Sequence, residues 1–210
     1  MSFELRLGGI ALLASVGVLG VVFALVVSRS QIRGLSAGFM GVEGIGRDAV
    51  ALRTLMRGLA LFGILQLIGF GVLAASLTEV GERTIATVSY ALWVLASAAG
   101  VFRVVSDGTI TVWAGERWAE TGSVPEVYAP LNDLAQNSFV WFAEVPWLIA
   151  AAGFGWAVLR SGLLPSWVGY IAIGWSAVWL SYPVIFKSDL PAVLMIYPIL
   201  FGVGMLIAEG

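Results

Sequence analysis

The sequence contains no cysteine and no histidine. Disulfides, zinc–thiolate sites, iron–sulfur clusters and thiol nucleophiles are thereby excluded. Haem ligation through imidazole, a Glu-x-x-His di-metal site and a Ser-His-Asp triad are excluded as well. Charge is also scarce. Only 11% of residues are charged, where a soluble domain carries about 25%. There is a single lysine, Lys187, and all 7 prolines lie after residue 124. Chemistry would have to rest on carboxylates, arginine, tyrosine, Ser/Thr or Lys187. That set suits proton relay or hard-cation binding better than hydrolysis, so an enzyme is not the first expectation and no cofactor is expected.

What is present is apolar surface. Of 210 residues, 60% are hydrophobic, and a soluble core of that length cannot hide them while keeping a polar exterior. Disorder fails for the opposite reason, because disordered chains are poor in apolar residues. A net charge of −2 without basic runs argues against a nucleic-acid partner. The expected class is an all-α polytopic membrane bundle, a single domain over residues 1–210, with the lipid bilayer as its first partner and a prokaryotic inner or plasma membrane as its place.

A helix crossing a hydrocarbon layer of ~30 Å needs about 20 residues. Six runs approach that length: Leu7 to Val27, Leu59 to Leu77, Thr84 to Val105, Ser138 to Leu159, Pro165 to Phe186 and Pro191 to Ala208. They are continuously apolar and do not alternate, which favours helices over a barrel. The first is too long for a signal-peptide core and lacks a small-x-small cleavage site, so it reads as a retained helix. Short connections at Arg160–Leu164 and Lys187–Leu190, each followed by proline, predict that the last three helices stand side by side and antiparallel.

Two connections are long. Ser28–Gly58 carries Arg29, Arg33, Arg47, Arg53 and Arg57 with a Gly38, Gly41, Gly44, Gly46 series, which lacks the ending of a phosphate loop. From Arg47 onward it reads as a charged extension of the second helix. Ser106–Asn137, with Trp113 and Trp118 beside Glu116, Arg117 and Glu120, reads as an amphipathic interfacial segment between helices three and four, broken by Pro125 and Pro130. Lys and Arg divide as three (Arg6, Arg83, Arg160) on the side of both termini and seven on the other, Arg103 being set aside within its helix. The positive-inside rule then places loops one, three and five in the cytoplasm.

The candidate site residues are the few polar groups within the spans. Glu144 lies about a third of the way into the fourth run, in Val140-Trp141-Phe142-Ala143-Glu144-Val145-Pro146, where a carboxylate costs a few kcal/mol (order of magnitude). Asp133 and Asn137 stand at helical spacing from Glu144 and share its face if the helix starts early enough. Arg103 and Asp107 form an i, i+4 pair near the end of the third run. Gln66 is central in the second. Two readings stay open: a polar pocket for a small ligand, ion or proton built from Glu144, Arg103, Gln66, Asn137, Asp107 and Asp133, or packing glue between helices. For Arg103 the alternatives are snorkelling to the headgroups and a buried pair with Glu144. A different class of function also fits the composition. Six of the 9 tryptophans lie between 141 and 179, as a non-catalytic scaffold or accessory subunit docking a partner membrane protein would require.

At Gly153-Phe154-Gly155-Trp156-Ala157-Val158-Leu159-Arg160-Ser161-Gly162-Leu163-Leu164-Pro165-Ser166-Trp167-Val168-Gly169 the chain resembles the six-helix prokaryotic membrane proteins of domain-of-unknown-function family 4386. A glycine-rich helix end is followed there by Arg/Lys-Ser-Gly-x-x-Pro and a new helix. The resemblance implies six helices and a prokaryotic source, and brings no catalytic residue with it. It also implies a cytoplasmic Arg-Ser-Gly turn, opposite to the charge count.

Overall fold

A computed structural model describes residues 3–29, 49–186 and 192–208, with side chains for 3–25, 53–181 and 194–208. Arg33, Arg47, the glycine series, Lys187 and Pro191 lie outside the described residues. Within them all regular structure is helical: α1 Phe3–Arg29, α2 Ala49–Glu79, α3 Arg83–Ser106, α4 Val112–Thr121, α5 Tyr128–Phe139, α6 Val145–Ser161, α7 Ser166–Phe186 and α8 Ile196–Ile207. Single π-helical turns, Asp107–Thr111 and Val140–Glu144, join α3 to α4 and α5 to α6, and a 3₁₀ turn at Ala192–Met195 leads into α8.

The stretch expected to form a separate segment along the surface instead continues α3. The continuous helix Arg83–Thr121 has 39 residues, roughly 58 Å at 1.5 Å per residue and nearly twice the hydrocarbon thickness. No proline lies between Ser106 and Thr121. The first stop is Gly122, whose φ of 71° provides the left-handed C-cap. Pro125 lies in the turn beyond it, and Pro130 falls in the first turn of α5, where its missing N–H is harmless. The returning helix, Tyr128–Ser161, has 34 residues. Pro198 sits in the first turn of α8, after the 3₁₀ turn has ended, where its missing N–H is likewise harmless.

The packing order runs α8, α1, α2, α3, α6, α7, with α7 returning to α8. Side chains from this ring meet in an aromatic centre: Phe70 of α2 lies 3.9 Å from Trp93 of α3, 5.4 Å from Phe154 of α6 and 5.6 Å from Phe201 of α8, between ring centroids. Small residues let the helices approach this closely. A Cβ on Gly9 would stand 2.9 Å from the Gly202 carbonyl, bringing α1 onto α8, and one on Gly169 would stand 2.6 Å from the Gly155 carbonyl, bringing α7 onto α6. One polar tie closes the ring, Ser176 Oγ to Tyr197 Oη at 2.8 Å, with Tyr197 fully buried.

Ion pairs mark the two ends. Arg160 Nε meets Glu82 Oε1 at 3.2 Å, so the α2–α3 and α6–α7 turns share one end. At the other, Arg53 Nη2 meets Glu116 Oε1 at 2.8 Å across α2 and α4. Arg160 is 57% exposed, which limits the pair's worth to about 0.2–1 kcal/mol. A double-mutant cycle with Glu82→Gln and Arg160→Gln, read by reversible unfolding in mixed micelles, should return a coupling in that small range.

Candidate functional site

The inward face of α3 determines what the middle of the bundle contains. Ser89, Trp93, Ala96, Ser97 and Gly100 are buried along it at helical spacing. The Ser97 hydroxyl donates to the Trp93 carbonyl at 2.8 Å and so needs no further partner. Gly100 leaves room for the ring of Trp147 from α6, whose Cη2 would lie 3.1 Å from a Cβ there. Trp93 and Trp147 have ring centroids 6.2 Å apart. Their indole N–H groups are both buried without a hydrogen-bond partner among the described residues.

Glu144 closes the second π-turn and is 1% exposed. The turn has a local cause. Pro146 has no N–H to give the Phe142 carbonyl, and its ring crowds that carbonyl in a regular α-helix. Widening to the i, i+5 pattern relieves the crowding, and the Val145 N–H accordingly reaches the Val140 carbonyl. The turn packs on α3. α3 and α6 run antiparallel, with Gly153 against Ser89 and Trp147 against Gly100. Continuing those two contacts along α3 sets Glu144 opposite residues 98 to 103.

At that level Arg103 Nε holds Asp107 Oδ2 at 3.1 Å, and the side chains are 20% and 14% exposed. Asp107 opens the first π-turn and also accepts from the Thr111 hydroxyl at 3.3 Å. Ser106 and Thr111 are buried beside it. Arg103 Nη1 is buried and has no hydrogen-bond partner among the described residues. Simple snorkelling would leave the whole guanidinium in water, whereas this one turns a donor inward. Among the described residues no three acidic side chains cluster as a metal cage would require.

Of the residues picked from sequence, the structure thus joins Arg103 to Asp107 and buries Glu144 on a turn packed against α3. Gln66 is buried at 5% exposure. Its register, read from Gly71 beside Tyr90, places it level with Ala96, roughly two turns and 10 Å deeper than Arg103. Asp133 and Asn137 are a correction. The helix does start early enough to include them, yet both are exposed while Glu144 is buried. Seven residues of regular helix would align Asn137 with Glu144, but the extra residue of the intervening π-turn rotates the residues beyond it by about 100°. Trp93 and Trp147 were not singled out from sequence. Their signal was the Trp93, Ser97, Gly100 spacing and the i, i+3 relation of Glu144 to Trp147.

The described residues therefore define an all-α bundle in which four helices are long and apolar enough to cross a membrane, with a buried carboxylate, Glu144, on a turn packed against α3 and an Arg103–Asp107 ion pair at the end of that helix. Comparison of the chain with family models, with curated proteins and with solved structures finds no match.

Proposed function

We propose that this chain is a multi-pass bundle of six spans, in a prokaryotic inner or plasma membrane, that binds or passes a small ligand, ion or proton at Glu144. One observation carries the reading: a carboxylate 1% exposed in an apolar bundle, on a π-turn packed against α3, the helix that also carries Arg103. Burying such a group costs several kcal/mol (order of magnitude) unless it is protonated or paired, so packing alone is a poor reason to keep it. Arg103 and Asp107 are its polar surroundings, and Gln66 is a deeper hydrogen-bonding group. The runs Pro165 to Phe186 and Pro191 to Ala208, which contain α7 and α8, are read as the fifth and sixth spans, in line with the family resemblance at residues 153–169. The charge count supports cytoplasmic placement of the end that carries Arg53, Arg57 and Arg117.

The test is flux across proteoliposomes carrying an entrapped pH dye or a sodium dye. Glu144→Gln keeps shape and removes the charge. It should lower flux at least tenfold while leaving the helical circular dichroism unchanged. Equal flux in wild type, Glu144→Gln and Glu144→Ala sinks the reading.

A second reading has its own observation. Trp141, Trp156 and Trp167 are 54%, 53% and 40% exposed on the outside of the bundle, where a scaffold would meet a partner membrane protein. Native mass spectrometry from gentle detergent decides between them: a stoichiometric partner lost on Trp156→Ala favours the scaffold.

A further inference from the structure

We propose that the seam between α3 and α6 is hydrated, and that water accepts the indole N–H groups of Trp93 and Trp147 and the Nη1 N–H of Arg103. These three donors are buried without a hydrogen-bond partner among the described residues. Trp93 is only 2% exposed, so its N–H is withdrawn from lipid and bulk water alike. Trp93 and Arg103 stand ten residues apart on α3, about 15 Å along its axis. Trp147 lies between them. Its Cη2 and Cζ2, on the nitrogen-bearing side of the indole, would stand 3.1 and 3.4 Å from a Cβ on Gly100. No side-chain acceptor among the described residues is stranded in the same way. A buried donor left unused keeps its full desolvation cost, and one bonded to water does not. The seam therefore calls for an occupant that accepts hydrogen bonds.

Charge and size select water among the acceptors. An anion at the indoles would need a cation beside it. Arg103 is held by Asp107 at 3.1 Å, and Arg57, set near that outer level by Met56 against Gly108, is exposed. Both lie about 15 Å or more from the level of Trp93, too far to offset the burial of a charge. A ring-sized ligand finds the space taken. Phe70 and Trp93 have centroids 3.9 Å apart, Trp93 and Trp147 6.2 Å, and Phe139 and Trp147 6.0 Å. Water is small and neutral, and it needs two to four polar partners. The indoles supply two. Ser97, one turn from both Trp93 and Gly100, supplies another: its hydroxyl already donates to the Trp93 carbonyl at 2.8 Å, which leaves its oxygen able to accept. The file of water ends at Trp93, beyond which Phe70, Phe154 and Phe201 offer only rings. On the way it passes residues 98 to 103, opposite Glu144, and so provides the route by which a small ligand of that residue would enter.

Nuclear magnetic resonance of the full chain in nanodiscs, with nitrogen-15 in its indoles, tests this through rotating-frame cross-relaxation between water and the indole N–H protons. Trp93→Phe and Trp147→Phe keep a ring, remove the donor and assign the two signals by their loss. Both protons should show a water contact, while the methyl protons of Leu73, fully buried on α2, should show none. Two dry indoles overturn the hydrated seam. A contact at Trp147 without one at Trp93 overturns it as well, because the file then stops short of the middle of the bundle. Indole signals that shift when chloride is exchanged for nitrate make the occupant an anion and overturn water. Should either variant fail to assemble, the wild-type spectrum still decides, with the Trp93 signal assigned by its contacts to the Phe70 ring. Failure of the Glu144 reading is a separate result, equal flux in the Glu144 variants, and leaves the hydration of the seam untouched.

Discussion

A single methyl group at Gly169 should take the α6–α7 pair apart. A Cβ there would stand 2.6 Å from the Gly155 carbonyl and 2.6 Å from Leu159 Cγ, where real contacts essentially never come under 3.0 Å. A leucine side chain can swing away, but a helical carbonyl cannot. Two helices held at this spacing must therefore separate along their contact. Within a bilayer no hydrophobic force opposes the separation, since lipid tails are as apolar as the faces exposed, and the pair is held by close packing. Gly169→Ala should cost about 3 kcal/mol, read as a fall in the midpoint of reversible unfolding in mixed micelles. Gly174→Ala, on the same helix with nothing within 4 Å, should stay within about 0.5 kcal/mol. Equal effects at the two positions would show that the α6–α7 approach is not what the glycine serves.

Removing the ring of Phe70 should be comparably damaging for the opposite reason. Phe70 is fully buried and touches Trp93, Phe154 and Phe201, so it joins four helices at one point. Truncation leaves a cavity that neither lipid nor water can fill without opening the ring of helices. The contacts of three aromatic neighbours are lost at once, and Phe70→Ala should cost about 3–5 kcal/mol. Phe102→Ala gives the contrast. Phe102 is 59% exposed on the outside of the bundle, where a lipid chain takes up the space, so the loss should be near zero. An equal destabilisation by the two substitutions would move the centre of the bundle elsewhere.

Much of the architecture was legible because the bilayer imposes a length rule. The runs at Leu7–Val27, Leu59–Leu77, Thr84–Val105 and Ser138–Leu159 correspond to the four helices of membrane-crossing length, and the break at Gly162 and Pro165 falls between Ser161 and Ser166. Helix continuity was read less well. Trp113, Glu116 and Arg117 made Ser106–Asn137 look like a piece of its own, whereas an amphipathic pattern says only which face is wet and not whether the helix before it has ended. Among the polar groups, the burial of Glu144 and the Arg103–Asp107 spacing could be read directly. The face assigned to Asp133 and Asn137 could not, because it assumed an unbroken α-helical period through Val140–Glu144.

The residues alone thus determined the class of chemistry and of environment. Without thiols or imidazoles, and with so little charge, only carboxylate, arginine, hydroxyl and Lys187 chemistry was left, in a helical chain with runs long and apolar enough to cross a membrane. Composition and run length decide that regardless of how helices touch. Which groups meet was decided by tertiary structure. Glu144 comes to be buried against α3 through the antiparallel register of two helices, which is settled by close packing at Gly100, Ser89 and Gly153 and joins positions far apart along the chain.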